Sequence, residues 1–314
     1  MRKLKSPFFK VDKKNLYYLD NKIISELDGI QKVIDYILRN EGVYYEECSI
    51  KKYDETVLVL EPHPDDFALS ALAYTYNNYN AVVFNIFSKT SLEYFTWKDY
   101  ISITQAEYEQ LRLEESKFAI EKVLKESFIS MKEASTRITK KTDETLKKEI
   151  CDNLDNILNK NKKITTVMIP MGIGEHPDHL IVYDSIINNL DKYCKYKLIF
   201  YPEYPYARCK KKYMERLSEL KRKYSLNEVI IDIEDKIEKI VDCISIYKSQ
   251  FDDINRNQML ALVREDARAL QSEYDVDNMI MVYFEMVVKK WKLVFLMMNQ
   301  KFSHYNMVEK QEQY

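Results

Sequence analysis

The stretch that decides the fold lies at positions 57 to 66 and reads Val57-Leu58-Val59-Leu60-Glu61-Pro62-His63-Pro64-Asp65-Asp66. Its first four residues are β-branched or aliphatic and too few for a helix, which predicts a buried strand. The prolines then force a turn, and Pro64 suits the first turn of a following helix. His63 and Asp66 are three residues apart, so their side chains can converge at the end of the strand.

A second strand end carries the same kind of motif about a hundred residues later in the chain. Residues 165–170 form another strand-like run, a loop containing Gly172 and Gly174 follows, and His176-Pro177-Asp178-His179 opens a helical pattern. These two motifs contain three of the four histidines of the chain. Either motif alone is a weak signal, but the pair predicts one shared site.

The order of the remaining elements predicts the fold class. A strand pattern at 57–60, a helical pattern at 67–79 and a strand pattern at 81–87 form the parallel crossover unit, which needs about thirty residues. Further strands are predicted at 165–170, 197–201, 229–233 and 279–286, and further helices at 104–125, 143–159, 179–190, 236–247 and 256–272. We therefore predict a Rossmann-like α/β fold, with a mostly parallel sheet and helices on both faces. Residues 88–91 are expected in a loop at the carboxyl edge of the sheet, where such folds bind ligands.

Length and composition are those of a globular chain. Of its 314 residues, 46% are hydrophobic and 31% are charged, and the net charge of −2 provides no field to attract nucleic acid. We expect a single domain over residues 55–290, preceded by a helical extension over 1–54 and followed by a tail over 291–314. In the extension, the apolar residues between 23 and 37 fall on one helical face. A homo-oligomer is compatible with this sequence.

The five cysteines indicate the compartment. They are scattered and form no Cys-x-x-Cys pair, which argues against a disulfide framework and against a thiolate zinc site. The chain also has no apolar run long enough for a signal peptide or for the roughly 20 residues of a membrane helix. We expect a cytoplasmic protein that binds neither membranes nor nucleic acid.

The two motifs together provide the ligands of a catalytic metal. Zinc sites of this kind use three nitrogen or oxygen ligands and keep one position for water, and His63, Asp66 and His179 fit that set. Zn²⁺ is the expected metal, with another divalent ion as the alternative. Two neutral imidazoles and one carboxylate leave a net charge of +1, which lowers the pKa of bound water from about 16 towards 7.

Two groups of the motifs are then left for proton transfer. Asp65 is placed to act as general base on the metal-bound water. If Asp178 or another carboxylate holds His176 as an imidazolium, His176 can face the oxyanion and protonate a leaving amine. A metal site with a general base and an oxyanion partner predicts hydrolysis of an amide. The alternative, that Asp66 and Asp178 merely cap helices, leaves the gathering of the histidines unexplained.

Other motif classes give weaker signals. Gly172-Ile173-Gly174 begins a dinucleotide fingerprint, but Pro177 occupies the position of its third glycine, which argues against a nucleotide cofactor. The loop after strand 197–201 contains a polar and aromatic cluster suited to a sugar-like ligand, although an ordinary surface loop would also explain it. The members of this cluster are Glu203, Tyr204, Tyr206 and Arg208.

The two histidine motifs, each after a strand, resemble those of the PIG-L/LmbE-like family of zinc-dependent N-deacetylases. The resemblance extends over about residues 55–290 and includes the segment from Arg112 to Glu115 and the pair Ser249-Gln250. It implies a Rossmann-like fold and the removal of an acyl group, usually acetyl, from an amino-sugar compound such as an N-acetylglucosamine derivative. It also implies a substrate-binding role for Arg112. Residue by residue, it implies zinc at His63, Asp66 and His179, a base at Asp65, and an acid or oxyanion partner at His176.

The chain departs from the family pattern at several positions, which include Phe67, Gly174 and the residues Ser70, Leu72 and Ala73, where the family has small glycines. Phe67 stands where the family usually has a glutamate, and Gly174 stands where some members have a tyrosine that holds the reacting group. A tyrosine of the 201–206 loop is a candidate to replace it, and Tyr204 and Arg208 are further candidates for substrate contact. We expect a zinc-dependent amide hydrolase acting on a small N-acylated amino sugar or glycoside. The alternatives are an amidase for a non-sugar acyl amine and a catalytically silent protein that binds metal or carbohydrate.

Overall fold

The computed structural model describes residues 53–94, 103–251 and 256–287. The predicted N-terminal extension, apart from residues 53 and 54, and the predicted C-terminal tail lie outside these residues, so the predicted domain limits stay a prediction. In the described ranges, no helix is both long and apolar enough to cross a membrane.

The described residues form a seven-stranded sheet with the strand order β3-β2-β1-β4-β5-β7-β6. The strands are β1 (Thr56–Glu61), β2 (Asn80–Lys89), β3 (Ser127–Ala134), β4 (Ile164–Pro170), β5 (Lys197–Tyr201), β6 (Ser225–Asp232) and β7 (Ile280–Val287). The five strands from β3 to β5 are parallel, and β7 runs antiparallel to both β5 and β6. The prediction of a mostly parallel α/β sheet is confirmed.

Helices cover both faces of this sheet. They are α1 (Leu72–Thr75), α2 (Gln105–Lys117), α3 (Asp143–Lys160), α4 (Pro177–Ile187), α5 (Leu190–Tyr193), α6 (Lys210–Lys223), α7 (Ile237–Ile244) and α8 (Arg256–Tyr274). Single π-helical segments precede α1 at Phe67–Ala71 and extend α2 at Phe118–Val123. Thr104 and Thr142 begin α2 and α3, where each side chain accepts a backbone N–H of the first turn.

Strand β1 lies at the centre of the core, and all six of its residues are buried. Side chains alternate between the faces of a strand, so Val57 and Val59 pack into one apolar cluster while Leu58 and Leu60 pack into the other. The first cluster is completed by α7 and α8, and the second by α3, α4 and α6. Burial on both faces explains why this strand reads as an uninterrupted apolar run.

The strand order places both motifs at one point. The chain leaves β1 for β2 on one side and leaves β4 for β5 on the other, so the connections diverge between the neighbouring strands β1 and β4. An open α/β sheet binds ligands in the crevice at the carboxyl ends of such a pair. The motif after β1 and the motif after β4 therefore share one edge of the sheet.

The structure differs from the sequence prediction in several elements. The helix predicted over 67–79 ends at Thr75, and Ser88 and Lys89 extend β2 instead of lying in a loop. Strand β3 and helix α6 were not predicted. In β3, exposed and half-buried residues alternate without fully buried ones, because β3 is at the edge of the sheet.

Candidate active site

The first motif is a tight turn at the end of β1. The Tyr201 hydroxyl donates to the carbonyl of Leu60 at 2.7 Å, and Phe87 N–H donates to the carbonyl of Pro62 at 2.9 Å. Within the turn, His63 N–H donates to Asp66 Oδ2 at 2.7 Å, and Asp66 N–H donates to the carbonyl of His63 at 3.1 Å. These reciprocal bonds hold the side chains of His63 and Asp66 beside each other.

The second motif approaches the same point from β4. Gly172 and Gly174 have φ angles of 80° and 77°, which carry the chain from β4 into α4. His176 is the N-cap of α4, and its Nδ1 accepts the N–H of Asp178 at 3.3 Å. His179 lies within the first turn of α4 and is completely buried.

Three side-chain atoms from the two motifs converge in a small triangle. His63 Nδ1 lies 3.3 Å from His179 Nε2, and Asp66 Oδ2 lies 3.4 Å from His179 Nε2 and 3.8 Å from His63 Nδ1. Ligands placed tetrahedrally at zinc bond lengths of about 2.0–2.2 Å are about 3.3–3.6 Å apart, so the triangle fits a zinc ion. The sequence prediction had required His179 to lie close to His63 and Asp66, and the structure brings the three together.

A second set of potential ligands consists of His63, His176 and His179, whose ligand atoms lie within 4.8 Å of one another. The two sets share two imidazoles and differ in whether Asp66 or His176 is the third member. We favour the set with Asp66, because its contacts are 3.8 Å or shorter and its carboxylate offsets part of the ionic charge. In addition, Nδ1 of His176 already accepts the N–H of Asp178.

A buried carboxylate holds the far nitrogen of each of the two imidazoles in the triangle. Asp178 Oδ2 lies 2.7 Å from His63 Nε2, and Glu203 Oε1 lies 3.2 Å from His179 Nδ1. Such a partner fixes the proton on the far nitrogen, which leaves the near nitrogen free to bind a metal. The carboxylates are themselves held, since Asp178 accepts Thr136 N–H at 2.7 Å and Glu203 accepts Gly172 N–H at 2.6 Å.

These partners differ from those expected from the sequence. Asp178 was expected to hold His176 or to cap a helix, but its carboxylate is bonded to His63. Burial alone would raise the pKa of Asp178. The hydrogen bond from His63, together with other contacts, instead holds this pKa well below its usual range. Glu203 was expected in a ligand-binding loop, but it is completely buried against His179. The sequence signal that could have indicated this contact is the position of Glu203 directly after β5, a parallel strand that ends at the same edge of the sheet as β1 and β4.

Asp65 lies beside the triangle on the wall of the cavity, with its side chain 13% exposed. Burial and the neighbouring Asp66 raise the pKa of Asp65 to about 7, while the Arg112 guanidinium opposes this rise. Arg112 is buried, and its Nη2 lies 3.4 Å from Asp65 Oδ2. The guanidinium also donates to the carbonyl of Pro64 at 2.8 Å and to Thr90 Oγ1 at 3.0 Å. Arg112 thus secures the turn that carries Asp65.

His176 occupies the other side of the triangle and also lines the cavity. Its ring centroid lies 4.9 Å from that of His63 and 5.3 Å from that of His179. Burial and these two imidazoles lower the pKa of His176 to about 4, so the ring is neutral at neutral pH. Because Nδ1 accepts a backbone N–H, the proton of the neutral ring is on Nε2.

A cavity of about 690 Å³ opens above these groups. Its walls combine apolar, aromatic and polar side chains, which include Leu69, Ser91, Ile138, Tyr204, Tyr206, Gln250 and Phe251. The Tyr206 ring fills the space beside Gly174, because a Cβ added at Gly174 would lie 3.2 Å from its Cδ1. The amide nitrogen of Gln250 donates to the Tyr108 hydroxyl at 2.9 Å. The cavity is therefore suited to a ligand with both hydroxyl groups and apolar surface.

Arg208, a candidate for substrate contact, does not line this cavity. Its guanidinium forms a bidentate ion pair with Asp266, with N–O distances of 2.9 and 3.0 Å. We predict that Arg208→Ala changes kcat and KM by less than about twofold and lowers the free energy of unfolding by about 1–3 kcal/mol, because the largely buried Asp266 carboxylate loses its ion pair. Steady-state kinetics and urea denaturation would measure both, and a large rise in KM would restore Arg208 to the binding site.

Gly172 is needed where the second motif leaves β4. Its φ of +80° is unfavourable for other residues, and an added Cβ would lie 2.8 Å from Leu180 Cδ2. We predict that Gly172→Ala lowers the free energy of unfolding by about 1–3 kcal/mol, because the backbone is strained and Leu180 must shift. Urea denaturation would measure this loss, and an unchanged midpoint would show that the loop relaxes without cost.

Comparisons with known proteins agree with this geometry. The family model described as PIG-L, GlcNAc-PI de-N-acetylase, matches residues 58–190, which contain both motifs. A search of curated proteins finds no significant match. Among solved structures, the zinc-inhibited form of teicoplanin deacetylase is similar to this chain, with 16% identity and a TM-score of 0.57, over 74% of this chain and 98% of that chain.

Two further structures show how broadly this fold is used. The structure of an antimicrobial pseudoaglycone deacetylase has 18% identity and a TM-score of 0.57, over 74% of this chain and 96% of that chain. A 4-carboxy-2-hydroxymuconate hydratase from Pseudomonas putida has 14% identity and a TM-score of 0.51, over 75% of this chain and 97% of that chain. At these identities the likeness is one of fold, and the shared fold alone does not decide the reaction.

The family match covers the strands, turns and helices that carry His63, Asp66 and His179. The PIG-L family model therefore matches the part of the chain that carries both motifs, and the resemblance read from the two histidine motifs is confirmed.

Proposed function

We propose that the protein is a zinc-dependent hydrolase that removes an N-acetyl group, or a related acyl group, from an amino-sugar compound. The observation that carries this proposal is the triangle of His63 Nδ1, Asp66 Oδ2 and His179 Nε2, which has the dimensions of a zinc site and lies beside Asp65 in an open cavity. When bound there, zinc would supply Lewis-acid chemistry that activates water and polarises the amide carbonyl.

The residues around the triangle have complementary roles in this proposal. Asp65 accepts the proton of the attacking water, and its proximity to the ligand atoms and its pKa of about 7 suit a general base. His176 is neutral, so its Nε2–H donates a hydrogen bond to the carbonyl oxygen as negative charge develops there. The proton on Asp65 then passes to the leaving amine. Asp178 and Glu203 keep the ligand imidazoles oriented.

The substrate is proposed to lie in the cavity above Asp65 and His176. Tyr204 lines it, and Arg112 reaches it beside Asp65, so both stay candidates for substrate contact. The mixed aromatic and polar lining supports a small N-acylated amino sugar or glycoside. We also propose that the enzyme is cytoplasmic, because none of the cysteines in the described part of the chain forms a disulfide.

A substrate panel tests this function. Purified protein loaded with zinc would be incubated with N-acetylglucosamine, its glycosides and N-acetyl amino acids, and acetate release would be measured with and without a chelator. We expect acetate from at least one amino sugar, loss of activity with the chelator and recovery after zinc is returned. Release from acyl amino acids alone would favour the non-sugar amidase, and tight zinc binding without turnover of any compound would favour the silent alternative.

A further inference from the structure

Glu61 is a buried carboxyl at the end of β1 that has no role in the chemistry proposed above. It is completely buried and directly follows the apolar residues of β1. Because side chains alternate along a strand, Glu61 lies on the same sheet face as Val57 and Val59, the face whose apolar cluster includes Phe67. Burying a carboxyl there is unfavourable unless it forms hydrogen bonds. The hydrogen bonds of Glu61 therefore indicate its role in the structure.

One oxygen of Glu61 bridges the turn that follows. Oε1 accepts the N–H of Phe67 at 3.1 Å and the N–H of Asp65 at 3.3 Å. The second oxygen, Oε2, is buried and has no hydrogen-bond partner among the described residues. Glu61 thus connects the end of the strand to the start of the π-helical segment at Phe67–Ala71, across the whole of the first motif.

Asp65, one of the two residues whose N–H groups Glu61 accepts, has an unusual backbone conformation. Asp65 has a φ of 133°, in the range that favours glycine and that other residues adopt only when their surroundings hold them there. Its N–H is accepted by Glu61, while its carboxylate faces Arg112 at 3.4 Å. The Asp65 carbonyl also accepts the N–H of Leu69 at 3.0 Å, so three contacts hold Asp65: one at its N–H, one at its carbonyl and one at its carboxylate.

We propose that Glu61 is a positioning residue, whose side chain holds the backbone of Asp65 in this strained conformation and so directs the Asp65 carboxylate to the attacking water. This inference rests on the proposed function, because Asp65 matters for the rate only if it is the base. The family resembled by the two motifs usually has its glutamate at the position of Phe67. In this chain the buried carboxyl comes instead from the residue before Pro62, and it binds the backbone N–H of Phe67.

The test compares two substitutions of Glu61 in the zinc-loaded protein, with N-acetylglucosamine as the probe. Glu61→Gln keeps an accepting oxygen, and we expect kcat within about threefold of the original protein. Glu61→Met has a similar length but cannot accept either N–H, and we expect kcat to fall by about a hundredfold, as for other small displacements of a catalytic group. Zinc content and KM should stay unchanged in both variants.

A matched control and a structural measurement separate positioning from general destabilisation. Val59→Ala also perturbs the buried face of β1, and we expect it to lower Tm without changing the kcat of the zinc-loaded protein. If Glu61→Met does not fold, Glu61→Asp replaces it, because its shorter side chain withdraws the carboxylate from both N–H groups. Crystal structures of the variants would show whether the φ of Asp65 leaves the positive range.

The outcomes are distinct. An unchanged kcat in Glu61→Met, or a φ of Asp65 that stays near its original value, would overturn the positioning role. A loss of zinc in parallel with activity would overturn it as well, since Glu61 would then support the metal site as a whole. If the original protein releases no acetate from any N-acetyl sugar, the proposed function fails, and the φ of Asp65 in the variants still decides whether Glu61 holds the backbone.

Discussion

Replacement of Asp65 by asparagine is expected to lower kcat by about two to four orders of magnitude, which is the usual contribution of a general base. Asparagine preserves the shape of the side chain and can still face Arg112, but it cannot accept a proton. The structure supports the assignment because Asp65 borders the metal-ligand triangle and the cavity, and because burial and Asp66 raise its pKa to about 7. Acetate release at saturating N-acetyl sugar would measure the effect.

The control for this variant is its zinc content. Asp65 is not a member of the triangle, so Asp65→Asn should bind one zinc ion per chain, as the original protein should, and its Tm should change little. An Asp65→Asn protein that retains zinc and turns over at the original rate would remove the proposed base.

Replacement of His179 by alanine is expected to abolish both zinc binding and activity. His179 is completely buried, its Nε2 is within 3.4 Å of the two other ligand atoms, and Glu203 fixes its ring. Each of the two possible ligand sets would then keep only two of its members, fewer than the three protein ligands of a catalytic zinc site. Metal analysis after dialysis, together with acetate release, would measure the loss.

His176→Ala is the matched control, since it removes an imidazole from the same cluster. We expect it to retain zinc and to lose about a hundredfold to a thousandfold in kcat, as expected for a hydrogen-bond donor to a developing oxyanion. If His176→Ala loses zinc and Asp66→Ala retains it, the ligands are the three imidazoles, and the roles of Asp66 and His176 must be exchanged.

Much of the candidate site was predictable because its proposed metal ligands belong to two short motifs. His63 and Asp66 follow one apolar run and His179 follows another, and parallel strands bring their carboxyl ends to a common edge. The partners of these ligands were less accessible to sequence reasoning. Glu203 is distant in sequence and resembles any other loop carboxylate. Asp178 has two histidines nearby in sequence, but its carboxylate is bonded to a third, His63.

The fold was predictable where strands are buried on both faces, and less so at the edges. Strands β1, β2, β4 and β5 read as apolar runs because helices cover both of their faces. The edge strand β3 contains lysine and glutamate as well as apolar residues, so it has no apolar run. In helix α6, the buried Tyr213, Leu217 and Leu220 are separated by many basic residues, which makes the apolar face hard to recognise. The antiparallel direction of β7 depends on long-range pairing with β5 and β6, which no local pattern records.

The most direct measurement is a crystal structure of the zinc-loaded protein with anomalous diffraction collected at the zinc absorption edge. We expect one strong peak between the ends of β1 and β4, at about 2.0–2.2 Å from His63 Nδ1, Asp66 Oδ2 and His179 Nε2. Asp65 and His176 should border the ion without binding it. Zinc held by the three imidazoles with Asp66 turned away, or no zinc at this edge of the sheet, would contradict the assignment.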